Sequence, residues 1–142
     1  MTPKYWIVIG ALFGAAGVAI GAYHAHGLRE MIEKSESDAQ KVDQRMANCA
    51  TAVRYQMYHA FALMIVGMLG MRKRCAGFQV AGALFGLGSM GFSGGLYLMV
   101  FADNAIHWSI VPAGGLLLLA GWVSLAVSAF CLPANGVVVA SK

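Results

Sequence analysis

Charge is what this chain has least of. Asp, Glu, Lys and Arg make up 11% of its 142 residues and hydrophobic residues 59%, whereas roughly a quarter of a typical soluble domain is charged. A chain this small has much surface per unit volume. Lacking charge to cover it, that surface has to face something other than water. Cysteine is scarce as well: three residues are too few for a disulfide framework. Cys49 is expected at one membrane face and Cys75 and Cys131 near the other. Cys49 therefore cannot pair with either, and all three read as small apolar thiols. The three prolines, Pro3, Pro112 and Pro133, fall at the ends of apolar runs. No span is interrupted, so unbroken helices are expected, with Thr2 as the cap of the first. A phosphate loop would need a Gly-Lys-Ser/Thr ending, which is missing. No Ser/His/Asp or Cys/His set points to catalysis, and no basic stripe with interleaved aromatics points to nucleic acid. The reading is of a protein that is not an enzyme and carries no cofactor.

What the chain does have is long uncharged stretches. Residues 5–28, 55–71, 75–102 and 104–141 contain no Asp, Glu, Lys or Arg. About 20 apolar residues cross a bilayer as a helix. Four spans are predicted, at about 4–25, 50–71, 76–101 and 109–132, in one membrane domain of residues 1–132 with a tail at 133–142. The fold class is all-α and integral to the membrane: a four-transmembrane-helix bundle. The first span is too long for a signal-peptide core and no clean cleavage site follows, so it is read as retained.

Residues 28–48 form the one longer polar loop. From about Asp38 onward it is expected to extend the second helix, because Val42, Met46, Cys49 and Val53 recur at helical spacing. Lys and Arg number five on each side, so charge counting leaves orientation open. The tight Arg72-Lys73-Arg74 cluster favours its side as cytoplasmic, which puts both termini inside a bacterial-type inner membrane. Trp108 in the third connection suits the membrane interface.

Small residues line one face of two helices: Gly10, Gly14, Gly17 and Gly21 in the first span, Gly82, Gly86, Ser89 and Ser93 in the third. The run Gly10–Gly14 repeats as Gly82–Gly86, which hints at duplication. In lipid, helices associate by close packing rather than by hydrophobic gain. These faces, with Gly121 in the fourth span, are therefore expected at the centre of the bundle, and Gly14→Leu is expected to disrupt it.

Topology also brings all four histidines, His24, His26, His59 and His107, to one membrane face. Arg54, Tyr55, Tyr58, Tyr23, Tyr97 and Asp103 belong to the same layer, and Ser93 is counted with it as a candidate. Arg54 and Tyr58, like Tyr55 and His59, are four residues apart and can meet on one helix face. An ionisable group at membrane depth is costly and should face protein or water. Three readings stay open for this layer: a structural polar cluster, a metal or haem site, and a proton or small-solute path.

Four stretches carry a resemblance: Gly21–Leu28, Thr51–Ala60 with its Tyr55-Gln56-Met57-Tyr58-His59 core, Phe92–Leu98, and Pro112–Gly115 leading to Ala120-Gly121-Trp122. In order and spacing they resemble the transmembrane-protein-256-like family, whose bacterial members are YgdD-type small inner-membrane proteins classed as a domain of unknown function. The resemblance implies four spans and no known reaction. Its motif positions include His26, Tyr55, Gln56, His59, Ser93, Tyr97, Pro112, Gly114 and Gly115. The expectation is an accessory or scaffolding subunit in the lipid bilayer, partnered by other membrane-protein subunits or by itself. A small transporter or channel, and a metal or haem site, are the alternatives.

Overall fold

The computed structural model describes residues 2–102 and 109–133, and every element among them is helical. Helix α1 runs Lys4–His26, α2 Leu28–Glu33 and α3 Ala39–Arg72. Helix α4, Ala76–Ser89, passes through a π-helical turn, Met90–Gly94, into α5, Gly95–Phe101. Helix α6 is Ile110–Ser128, closed by a 3-10 turn at Ala129–Cys131. Among the described residues three helices are long and apolar enough to cross a membrane: Lys4–His26, Ala76–Phe101 and Ile110–Cys131. Helix α3 is long enough, but Tyr55, Gln56, Tyr58 and His59 keep its uncharged end less apolar, and the span expected at about 50–71 is not among the three. Asp103, His107, Trp108 and the tail from residue 134 lie outside the described residues.

The predicted loop at 28–48 is mostly helix, which is a correction. Leu28 and Ile32, one turn apart, are fully buried against Val42, Cys49 and Val100. Burying each such aliphatic side chain from water stabilises by about 1.5–3 kcal/mol. The acidic and basic residues of this stretch pair across the surface: Arg29 with Asp43 at 2.7 Å, Arg29 with Glu33 at 3.3 Å, Lys34 with Glu30 at 2.8 Å. Each exposed pair contributes at most about 1 kcal/mol. The neighbouring carboxylates, Asp43 first, raise the pKa of Arg29. Only residues 34–38 connect the two helices. There the Asp38 carboxylate accepts from the Gln40 N–H at 2.9 Å and starts α3, as the sequence pattern had placed it. The α2–α3 hairpin covers the end of α5, where the Arg45 Nε donates to the Val100 carbonyl at 3.0 Å. That carbonyl is among the last four of the helix and has no partner within it.

Helix α1 lies along α3, α6 lies along α4 and the π turn, and α3 against α4 joins the two pairs. The small residues therefore do not gather at one centre. A Cβ on Gly10 would stand 2.6 Å from the Ala60 carbonyl, and one on Gly17 2.8 Å from the Met57 sulfur, both on α3. Gly82 instead receives the Trp6 indole, at 2.5 Å, and Gly121 receives the Phe85 ring, at 2.7 Å. Gly21 and Gly86 make ordinary contacts, at 3.4 and 3.9 Å. Gly14 departs from the expected packing role, because a Cβ there meets nothing within 4 Å. The tightest approach to backbone was not anticipated: a Cβ on Gly114 would lie 2.2 Å from the backbone nitrogen of Phe92 in the π turn.

Three further expectations are corrected. The third helix is not regular throughout, since the π turn widens it at Met90–Gly94. Cys75 and Cys131 are bridged, with Cα atoms 6.4 Å apart, while Cys49 is free and buried. The start of α4 and the end of α6 reach the same face, and that adjacency makes the bridge. Pro3 itself occupies the cap position of α1, and the Thr2 side chain makes no cap bond.

Candidate functional site

The polar residues expected in one layer separate into distinct places. His59 is buried and Arg54, Tyr55 and Tyr58 are exposed on α3. His26 is exposed on α1, and the His24 ring meets the Met46 carbonyl at 3.2 Å. Ser93 is buried and Tyr97 partly so, both on the third helix. No three His, Cys, Asp or Glu side chains cluster to hold a metal ion among the described residues.

His59 is the centre of one group. Its Nδ1 lies 2.7 Å from the Tyr55 carbonyl, and its Nε2 lies 3.2 Å from the Trp122 Nε1. An indole N–H only donates and a carbonyl only accepts. Nδ1 therefore carries the proton and Nε2 accepts, so the ring is neutral with both nitrogens engaged. Around it stand Phe85, at 5.6 Å between ring centroids, and Trp122, at 6.0 Å. Phe92 extends the group through Tyr55, at 4.8 Å. An imidazole so placed ties α3 to α6 and has no free nitrogen for a metal. Reading the sequence singled out His59 but not its partner. A Trp inside an apolar span needs an acceptor, and that signal was available at Trp122.

Beside this group a groove of about 740 Å³ runs between α3 and α6. Tyr55, Tyr58, Phe61 and Ile65 line one wall, Leu116 and Leu119 the other, with Ala62 and Gly115 in its lining and Trp122 at one end. It is open to the surroundings and almost wholly apolar.

A second opening lies on a different face of α3. Phe13, Ala16 and Ile20 of α1, Gln56 of α3, and Ser89, Met90, Gly94 and Tyr97 of the third helix enclose about 200 Å³. Gln56 is buried and its Nε2 donates to the Phe13 carbonyl at 2.7 Å, tying α1 to α3. The hydroxyls of Ser89, Ser93 and Tyr97 are buried and have no hydrogen-bond partner among the described residues. Ser128, by contrast, donates to the Ser124 carbonyl one turn back, at 2.6 Å.

The sequence places these features in a known group. A family described as "Protein of unknown function (DUF423)" matches residues 20–115. The chain belongs to that family. A UPF0382 membrane protein of Staphylococcus haemolyticus is 37% identical over 127 residues, covering 89% of this chain and 96% of the relative. One from Haemophilus influenzae is 36% identical over 132 residues, covering 92% and 96%. The UPF0382 inner membrane protein YgdD of Escherichia coli K12 is 28% identical over 137 residues, covering 96% and 98%. No solved structure matches. The resemblance to YgdD-type proteins thus holds along nearly the whole chain. The protein is a helical integral membrane protein of a family with no assigned activity.

Proposed function

We propose that this protein is a non-enzymatic accessory subunit of the inner membrane, which receives a transmembrane helix of another membrane protein in the groove between α3 and α6. The groove itself carries the reading. Along α3 it extends from Tyr55 to Ile65, about 15 Å at 1.5 Å per residue. Its ends hold large, rigid aromatic side chains, the type enriched at energetic centres of interfaces. Gly115 and Ala62 allow a partner backbone to approach closely, the condition for helix association in lipid. With His59 and Trp122 satisfied by each other, the groove asks only for an apolar partner.

The reading includes four spans, with residues 50–71 of α3 as the fourth crossing. Residues 55–71 carry no charge, and α3 returns alongside α1. The Arg72–Arg74 side is taken as cytoplasmic, with both termini there. A cytoplasmic side requires the Cys75–Cys131 bridge to be reduced in the cell, its two thiols remaining neighbours at a Cα separation of 6.4 Å. In the reducing cytoplasm the pair is then held open.

Photo-crosslinking from Phe61 and Leu119 in native membranes tests the groove. The expected result is a crosslink to a different membrane protein. Crosslinks to lipid alone, or only to a second copy of this chain, overturn the reading. Maleimide labelling of Cys75 and Cys131 in intact cells tests orientation: labelling only after the membrane is opened is expected.

A further inference from the structure

The cleft between α1 and the third helix is lined by buried hydroxyls that nothing among the described residues satisfies. Ser89 is 3% exposed, lines the cleft, and has no partner; the buried Tyr97 hydroxyl lines it too and has none. Burying a hydroxyl without a hydrogen bond is unfavourable, and a serine in a helix ordinarily bonds back to the carbonyl one turn earlier. Ser124 and Ser128 both find carbonyl acceptors, at Gly77 and Ser124. Ser89 does not. Ser93, one position group further on, is 2% exposed and equally unpartnered, inside the π turn that interrupts the regular spacing of carbonyls.

Depth and chemistry narrow what could answer these hydroxyls. Ser89 is 13 residues from the start of α4, about 20 Å along the axis, so it sits about 10 Å inside a hydrocarbon core of roughly 30 Å. Tyr97 is eight residues further, near the opposite edge. The charged phosphate of a phospholipid stays outside that core, and no charged side chain lines the cleft to draw it in. The volume of about 200 Å³ equals that of about six or seven waters at roughly 30 Å³ each, which is room for a compact head group. Phe13, Ile20 and Met90 supply an apolar body contact, and Ser89 and Tyr97 supply donors.

We infer that this cleft is a binding site for an uncharged, carbonyl-bearing head group on a lipid-soluble molecule, with the carbonyl oxygens accepting from Ser89 and Tyr97. Two sources share that chemistry, a ring ketone such as a quinone and the ester of an uncharged glyceride.

The test uses the full chain purified in mild detergent, with three probes: a decyl-substituted benzoquinone, dioleoylglycerol and dioleoylphosphatidylglycerol. Binding is read by native mass spectrometry and by the shift of the thermal midpoint. Saturable binding of the quinone or of the diacylglycerol is expected, and which of the two binds identifies the source. Ser89→Ala and Tyr97→Phe should each weaken it by about five- to tenfold, the loss of one hydrogen bond. Without a probe, the same variants should melt at or above the temperature of the parent, because each removes an unpartnered hydroxyl. A lower probe-free midpoint would show that the hydroxyls have protein partners and would sink the idea. So would binding that ignores both substitutions, equal binding of the charged phospholipid, or no binding of either uncharged probe.

Discussion

The two openings beside α3 lie at similar depth and are built from similar apolar walls, yet their polar atoms fare differently. In the groove toward α6, the one buried imidazole uses both nitrogens, one on a backbone carbonyl and one on the Trp122 indole. In the cleft toward α1, Gln56 is bonded, but the buried hydroxyls of Ser89 and Tyr97 on the facing helix have no partner among the described residues. The reason is local geometry. Helices α3 and α6 bring a donor-only and an acceptor-capable ring together. Helix α1 presents Phe13, Ala16 and Ile20 to the cleft, with no side chain to answer a hydroxyl. A groove finished from within suits an apolar partner, whereas a cleft with orphan donors suits a polar head.

Substitutions can break or sharpen this contrast. The largest effect is expected at Gly114→Val, which drives a side chain into the π-turn backbone. Overpacking of this kind costs about 3 kcal/mol or more where the obstacle is backbone, so the α4–α6 pair should separate and the detergent-solubilised protein should melt far lower. Gly14→Ala, facing open space, is the matched control and should change the midpoint little. Next comes His59→Ala, which strands the Trp122 N–H. An unsatisfied buried donor costs about 1–3 kcal/mol. A double-mutant cycle with Trp122→Phe should recover part of that loss, and strict additivity would show that the two rings are not coupled. Ser89→Ala should move stability the other way, by up to about 1 kcal/mol. A clear loss at that position would erase the difference between the two openings.

Smaller effects belong to the α2–α3 hairpin outside the spans. Asp38→Ala removes the cap of α3 and should cost about 1 kcal/mol, visible as faster proteolysis or hydrogen exchange around residues 34–40. The smallest is a pH effect. The Asp38 backbone N–H, and then Lys41, hold the Glu36 carboxyl below its ordinary pKa. A depressed carboxyl contributes stability that is fully present above its unfolded pKa and is lost as pH falls through its folded value. The hairpin should therefore loosen slightly on acidification, and Glu36→Gln should remove that part of the pH dependence.

Much of the architecture was legible. Uncharged runs mark helices of spanning length at Lys4–His26, Ala76–Phe101 and Ile110–Cys131, because a bilayer admits few other solutions for the backbone. The spacing of Val42, Cys49 and Val53 announced the extension of α3, and Asp38 its start. The hairpin at 28–48 was misread because polarity was taken for irregularity. Yet Leu28 and Ile32 stand four apart, as do Arg29 and Glu33, and Glu30 and Lys34, which is helix spacing. The histidine layer was half legible. His59 stood out as an ionisable group inside a span, but shared depth did not mean contact, and His24, His26 and His59 find different neighbours.

Composition and periodicity alone determined the class of this protein: helical, membrane-embedded, with its charge held at the edges. They did so because lipid imposes one requirement on every residue of a span, and a local pattern can record it. Which glycines pack, which serines stay unpartnered, that Cys75 meets Cys131 and that Trp122 answers His59 were decided only by the tertiary structure. Each depends on the rotation of one helix against another, a few tens of degrees that no single segment encodes. The scarcity of charge made the membrane certain. The arrangement of the few polar groups that remain is where any function has to be sought.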